Sequence, residues 1–114
     1  MLIIKGRCPS KKNSRINTKS GRSFPSKAYK EWHEDASWQL YTQKKPMGIT
    51  KAQIELDFYL PDNHKADLTN KAESVMDLLV DLGIIKDDSW QVVSHLILTG
   101  EYDKENPRVE IFIN

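Results

Sequence analysis

The sequence predicts an α+β fold, a single domain over residues 1–114, in the order β-α-β-α-β-β with two helices packed on a mixed sheet. Three observations predict it. The chain has 114 residues, 39% of them apolar and 29% charged, which suits one globular core and leaves no room for a second. Two stretches repeat apolar residues at helical spacing, and others alternate apolar with polar residues as half-buried strands do. Helices alternate with strands along the chain, and the last two strands are expected to close as a hairpin, which together give a mixed sheet.

Each element follows from its residues. Leu2 to Lys5 reads as a short first strand. Residues 6–24 read as an irregular basic loop filled with Ser, Asn, Thr and Gly. Ser26, after Pro25, is placed to cap a helix over residues 27–44, in which Ala28, Trp32, Ala36 and Leu40 recur every fourth residue. Tyr29 and Tyr41 widen that stripe, and Pro46 and Gly48 end the helix. Ile54, Leu56, Phe58 and Leu60 then alternate with Gln53, Glu55, Asp57 and Tyr59, the period of a strand. Pro61 stops it and opens a polar loop over residues 61–69.

A second helix is expected to begin near Asn70, where Asn70 and Glu73 have capping-box spacing. Its buried face is Ala72, Val75, Met76, Leu79 and Val80, and Gly83 suits a left-handed cap. Trp90 to Leu98 and Arg108 to Ile113 read as the last strands, joined by a turn containing Gly100 and Pro107. Trp32, Trp38 and Trp90 are expected in the core or in an interface between copies, rather than as base-stacking platforms.

Composition excludes several classes. No apolar run approaches the roughly 18 residues of a membrane helix, and MLIIKGR is too short in apolar residues for a secretory leader. The one cysteine, Cys8, allows neither an internal disulfide nor a thiolate metal cage. A cytoplasmic protein without a membrane partner is the expectation. No Gly-rich phosphate motif is present, so no nucleotide cofactor is expected. His33, His64 and His95 stand isolated and are assigned no ligand or base role.

A formal net charge of +1 hides a strong asymmetry. Residues 1–45 carry 11 Lys/Arg against Glu31, Glu34 and Asp35, and residues 46–114 carry 6 against 13 carboxylates. Lys5 to Arg22 holds seven basic residues and no acidic one, a composition that can follow a phosphate backbone. It also suits a solvated loop that balances an acidic half. The acidic side contains its own pattern. Asp67 precedes the second helix, Glu73 lies in its first turn, and Asp87-Asp88 form a pair beyond its end. Helix-dipole pairing and an ordinary turn account for these carboxylates as well as a metal does. If a metal is held, oxygen donors suit a hard cation, Mg²⁺ or Mn²⁺, rather than zinc.

Over PDNHKADLTNKAESVMDLLVDLGIIKDDSWQVV the chain resembles the RusA-type Holliday junction resolvases. The resemblance rests on Asp67-Leu68-Thr69-Asn70, the following helix, Gly83, Asp87-Asp88 and a Val-rich strand. Upstream, Pro9 to Asn13 with the basic loop, and the run from Phe24 to Trp32, are similar too. This likeness implies a homodimeric, Mg²⁺-dependent endodeoxyribonuclease, with Mn²⁺ as a substitute, that cuts four-way or other branched DNA by paired symmetric nicks. It implies Asp67 and Asp88 as metal ligands, with Asp87 nearby; the catalytic set expected is Asp67, Asp88, Asn70 and Lys71, and the full expected ligand set is Asp67, Asp87, Asp88 and Glu73. Lys11, Lys12, Arg15, Lys19, Arg22 and Lys65 are the residues expected to meet DNA.

Two positions depart from the family's pattern. Thr69 stands where many members carry a second aspartate, and Glu73, one turn on, is placed to restore that charge. Some members have a lysine where this chain has Glu73; the nearest lysine here, Lys71, is on a different face of the helix, and the expectation is that it reaches a phosphate oxygen. The expected chemistry is attack by metal-activated water on the phosphodiester, leaving a 3′-hydroxyl and a 5′-phosphate. The alternatives are a branched-DNA-binding module with a decayed site, which Thr69 would explain, and a protein–protein adaptor.

Overall fold

The computed structural model describes residues 1–10 and 15–114. Eight elements follow in order: β1 (Leu2–Lys5), β2 (Arg15–Asn17), β3 (Ser23–Pro25), α1 (Lys27–Tyr41), β4 (Ala52–Leu60), α2 (Leu68–Asp81), β5 (Val93–Tyr102) and β6 (Arg108–Ile113). The expected α+β class, mixed sheet and two helices are all present. Among the described residues, no helix is long and apolar enough to cross a membrane.

The sheet order is β1-β6-β4-β5, with β4 and β5 parallel and both β1–β6 and β4–β6 antiparallel. The last two strands are therefore not the expected hairpin, because β4 lies between them. The cause is the α2 crossover, which returns the chain parallel to β4 along its free edge. Residues 103–107 then pass the end of β4, where Asp103 N–H donates to the Leu60 carbonyl at 2.8 Å. The chain re-enters as β6 on the other side.

Both helices cover one face of this sheet. Ile54, Leu56 and Phe58 of β4, Val109 and Ile111 of β6, and Ile4 of β1 pack against Leu40 of α1 and Val75, Leu78 and Leu79 of α2, all essentially inaccessible. The alternation expected in β4 holds from Ala52 to Tyr59, while Leu60 is half-buried like Tyr59. On the other face Arg108 stacks 3.8 Å above the Tyr59 ring and forks between Asp103 and Glu110, at 2.9 Å to each.

Several boundaries differ from the sequence reading. The basic stretch is not irregular throughout: β2 and β3 pair antiparallel, and Thr18 closes the turn through bonds with Arg22 and Gly21. Strands of three residues are too short to show an alternation. Helix α1 starts at the expected Ser26 cap, whose Oγ accepts from Tyr29 N–H at 3.1 Å, but it ends at Tyr41 rather than Lys44. Ala28 and Tyr41 are exposed, while Tyr29, Ala36 and Leu40 are buried. Trp32 packs against the core, but Trp38 and Trp90 do not belong to it.

Helix α2 begins at Leu68, so Asp67 is the cap and the Asn70–Glu73 box is not used. Asp67 wins because its extended backbone lets Oδ1 accept from Thr69 N–H at 3.0 Å. The C-terminus closes as expected around Gly83, at φ +69°. Gly83 N–H donates to Val80 and Ile84 N–H to Leu79, the paired bonds of a Schellman motif. Strand β5 starts at Val93 because residues 90–92 form a turn on Ser89, and Gly100 lies inside β5 rather than in a turn. A Cβ at Gly100 would stand 3.2 Å from Leu68 Cδ1. That glycine lets the start of α2 lie close against the sheet.

Candidate active site

Helix α2 carries the acidic side chains. Thr69, Glu73 and Asp77 follow at four-residue intervals and so share one face. Beyond the helix, Ile85 pairs with Ile49, and Lys86 N–H donates to the Ile49 carbonyl at 2.9 Å. That anchor returns the chain toward α2 before residues 87–89. As a result Asp88 faces the same cavity as Thr69, Glu73 and Asp77. The cavity measures about 610 Å³, with Ala72, Met76, Trp90, Val93, Leu96 and Leu98 as its apolar wall.

Asp67 is the helix cap and is not among the residues that line this cavity. Its Oδ1 accepts from the Thr69 hydroxyl at 2.6 Å as well as from Thr69 N–H, and its Oδ2 accepts from Asn70 Nδ2 at 3.3 Å. Thr69 therefore orients Asp67 while lining the cavity. Asn70 acts on the same carboxylate. Asp87 is not among the residues lining the cavity. The Asp88 backbone N–H, then the Ser89 hydroxyl, hold its carboxyl below the usual range.

Lys71 does not reach the cavity. Two positions before Glu73, it lies roughly 200° around the helix from it. It is buried, with Nζ donating to the Cys8 carbonyl at 2.8 Å. Ser74 Oγ donates to the Pro9 carbonyl at 2.9 Å, and the Cys8 thiol lies 3.7 Å from the Lys71 carbonyl. Three side chains thus fasten residues 8–9, the root of the basic stretch, to the far side of α2. Burial lowers the Lys71 pKa, and it pushes the Cys8 thiol up to about 12, leaving it neutral and unreactive.

The basic residues divide. Lys19 and Arg22 are exposed in the β2–β3 turn, and Lys65 is exposed in the loop before α2. Lys11, Lys12 and the side chain of Arg15 lie outside the described residues. In that loop Asp62 accepts from His64 N–H at 3.1 Å and pairs with Arg7 at 3.5 Å.

Asp77 is the residue the sequence reading missed. Its signal was available: it follows Glu73 by four positions, the same step that separates Glu73 from Thr69. The donors are carboxylates and a hydroxyl, which match the chemistry of a hard cation. Among the described residues, no three His, Cys, Asp or Glu side chains converge as a ready-made metal cage. The carboxylates share a cavity without meeting at one point.

An α+β domain with a cavity that is acidic on one side and apolar on the other, and a separate basic arm, has the parts of an enzyme that works on DNA. The family model described as Endodeoxyribonuclease RusA matches residues 6–114, which include every residue of the site. The Crossover junction endodeoxyribonuclease RusA of Aquifex aeolicus (strain VF5) is 28% identical over 102 residues, covering 89% of this chain and 81% of that protein. The chain belongs to the RusA endodeoxyribonuclease family and is a nuclease.

Proposed function

We propose that this nuclease resolves four-way DNA junctions with a divalent cation, Mg²⁺ or Mn²⁺, held at the acidic cavity. The family match across residues 6–114 carries the reading. The cavity supports it by gathering Glu73, Asp77 and Asp88 with Thr69, whose hydroxyl donates to Asp67. Asp67, Glu73 and Asp88 would hold the cation, with Asp77 as a further donor. Such a cation, when bound, lowers the pKa of a water and offsets charge developing on the phosphate.

The chain's own groups do the rest. Thr69 and Asn70 aim the Asp67 carboxylate, and Lys65 meets a backbone phosphate near the loop. The basic arm supplies salt-sensitive affinity without reading bases. A junction has approximate two-fold symmetry, so a homodimer presents two cavities for paired nicks.

The test is cleavage of a synthetic four-way junction beside a linear duplex, in Mg²⁺, in Mn²⁺ and in EDTA. Paired nicks that require metal, and that disappear in Asp67→Asn and Asp88→Asn while junction binding stays, are the expected result. A second reading, a branched-DNA binder with a decayed site, is favoured by Thr69 and by carboxylates that do not converge. A tight complex left uncut in every metal would establish it instead.

A further inference from the structure

We propose that Trp90 is a stacking platform for a nucleobase next to the phosphate held at the acidic cavity, and so a specificity-determining residue for unpaired or splayed nucleotides. The inference rests on the nuclease reading above. Trp90 is 77% exposed, the most exposed of the large apolar side chains. A ring of that size left in water forgoes the stabilisation that burial would give it, so a core role does not explain its position.

Its backbone is firmly mounted. Val92 and Val93 N–H both donate to the Ser89 carbonyl, at 3.0 and 2.8 Å, and Ala52 N–H at the head of β4 donates to the Val92 carbonyl at 2.7 Å. The indole is therefore carried on a turn tied to the sheet, two residues after Asp88.

The occupant follows from the two-sided lining. Glu73, Asp77 and Asp88 make one wall acidic, while Trp90 continues along β5 into the apolar side chains of Leu96 and Leu98. A cation alone would leave the apolar wall in water, and an apolar ligand would press against a charged one. A nucleotide accompanied by a cation matches both, since the cation would offset the charge of phosphate and carboxylates and the base offers a flat apolar face. The volume, about 610 Å³, lies within the range of small-molecule sites. Stacking tolerates any base but requires an open one, which costs least at a branch point. Trp90 thus selects for branched structure rather than for sequence.

The experiment compares wild type, Trp90→Ala, Trp90→Phe and, as an exposed tryptophan on another surface, Trp38→Ala. Affinity for a four-way junction and a matched duplex is measured in Ca²⁺, a hard cation that takes the same oxygen donors, with the DNA checked to be intact. Single-turnover cutting in Mg²⁺ and the mass of each variant in solution are measured alongside. Trp90→Ala is expected to weaken junction binding roughly 5- to 100-fold, with a smaller effect on duplex. The salt slope should not change, since the indole neutralises no phosphate. Trp90→Phe recovers most of the loss, and Trp38→Ala behaves as wild type. Trp90→Ala binding and cutting like wild type overturns the inference while leaving the nuclease reading intact. So does a loss that phenylalanine does not recover, or one that accompanies a fall in mass, which would mark Trp90 as a self-association residue. Wild type that neither prefers nor cuts the junction overturns the nuclease reading, and this inference with it.

Discussion

Thr69 contributes no charge, yet its hydroxyl donates to Asp67 Oδ1 at 2.6 Å and fixes the carboxylate that caps α2. Thr69→Val keeps the shape and deletes that donor. A loss of about 1 kcal/mol is expected for one such exposed bond, read as a drop of a few degrees in melting temperature. Junction cutting should fall further than stability does, because Asp67 loses its aim. Lys71 gives a prediction in pH. Burial depresses its pKa in the folded chain, so its charge is a cost below the folded pKa. That cost is relieved as pH rises from the folded pKa toward the ordinary lysine value. Wild type should therefore gain stability relative to Lys71→Met on going from neutral to alkaline pH; denaturant melts across that window check it. Asp67 and Asp88 were legible as a motif, since their setting is local. That Lys71 lies on a different face from Glu73 was legible from spacing, but its partner was not, because the Cys8 carbonyl it meets is 63 positions away in the chain.

At the scale of elements, the strongest signals were periodic ones. Strand β4 follows its alternation from Ala52 to Tyr59, and the buried face of α2 contains Ala72, Val75, Met76 and Leu79 as expected, with Val80 only partly buried. Ends were harder to read, because competing caps lie within three residues of one another. Asp67 displaced Asn70 through a backbone conformation that spacing does not reveal. The β2–β3 pair carried no period to detect. Gly83 offers a direct check on the α2 terminus. A side chain at φ +69° is strained, and its Cβ would meet Pro46 Cβ at 3.4 Å. Gly83→Ala should cost about 1–2 kcal/mol, measured by urea denaturation, with the slope unchanged if only the folded state is affected.

The whole molecule separates charge by position, with basic residues concentrated before residue 46 and acidic ones after it. Salt dependence tests whether the described part of the arm meets phosphate. Replacing Lys19 and Arg22 with alanine should reduce the slope of log affinity against log salt by about 1 for each phosphate the arm then fails to neutralise. Cutting at saturating protein should be little changed. Class and mixed sheet were legible from the order of periods along the chain. Strand order was not, since a final strand pair reads the same whether it closes on itself or straddles a third strand. That choice is made by the α2 crossover and the Asp103–Leu60 bond.

The clamp of Lys71 and Ser74 on residues 8–9 gives the molecule the character of a caliper. One jaw is the root of the basic arm, the other is the row Thr69, Glu73 and Asp77, and α2 is the bar between them. A bar of one helix thickness does not stretch, so the gap between grip and cavity is set when the chain folds. Loosening the clamp alters the gauge itself.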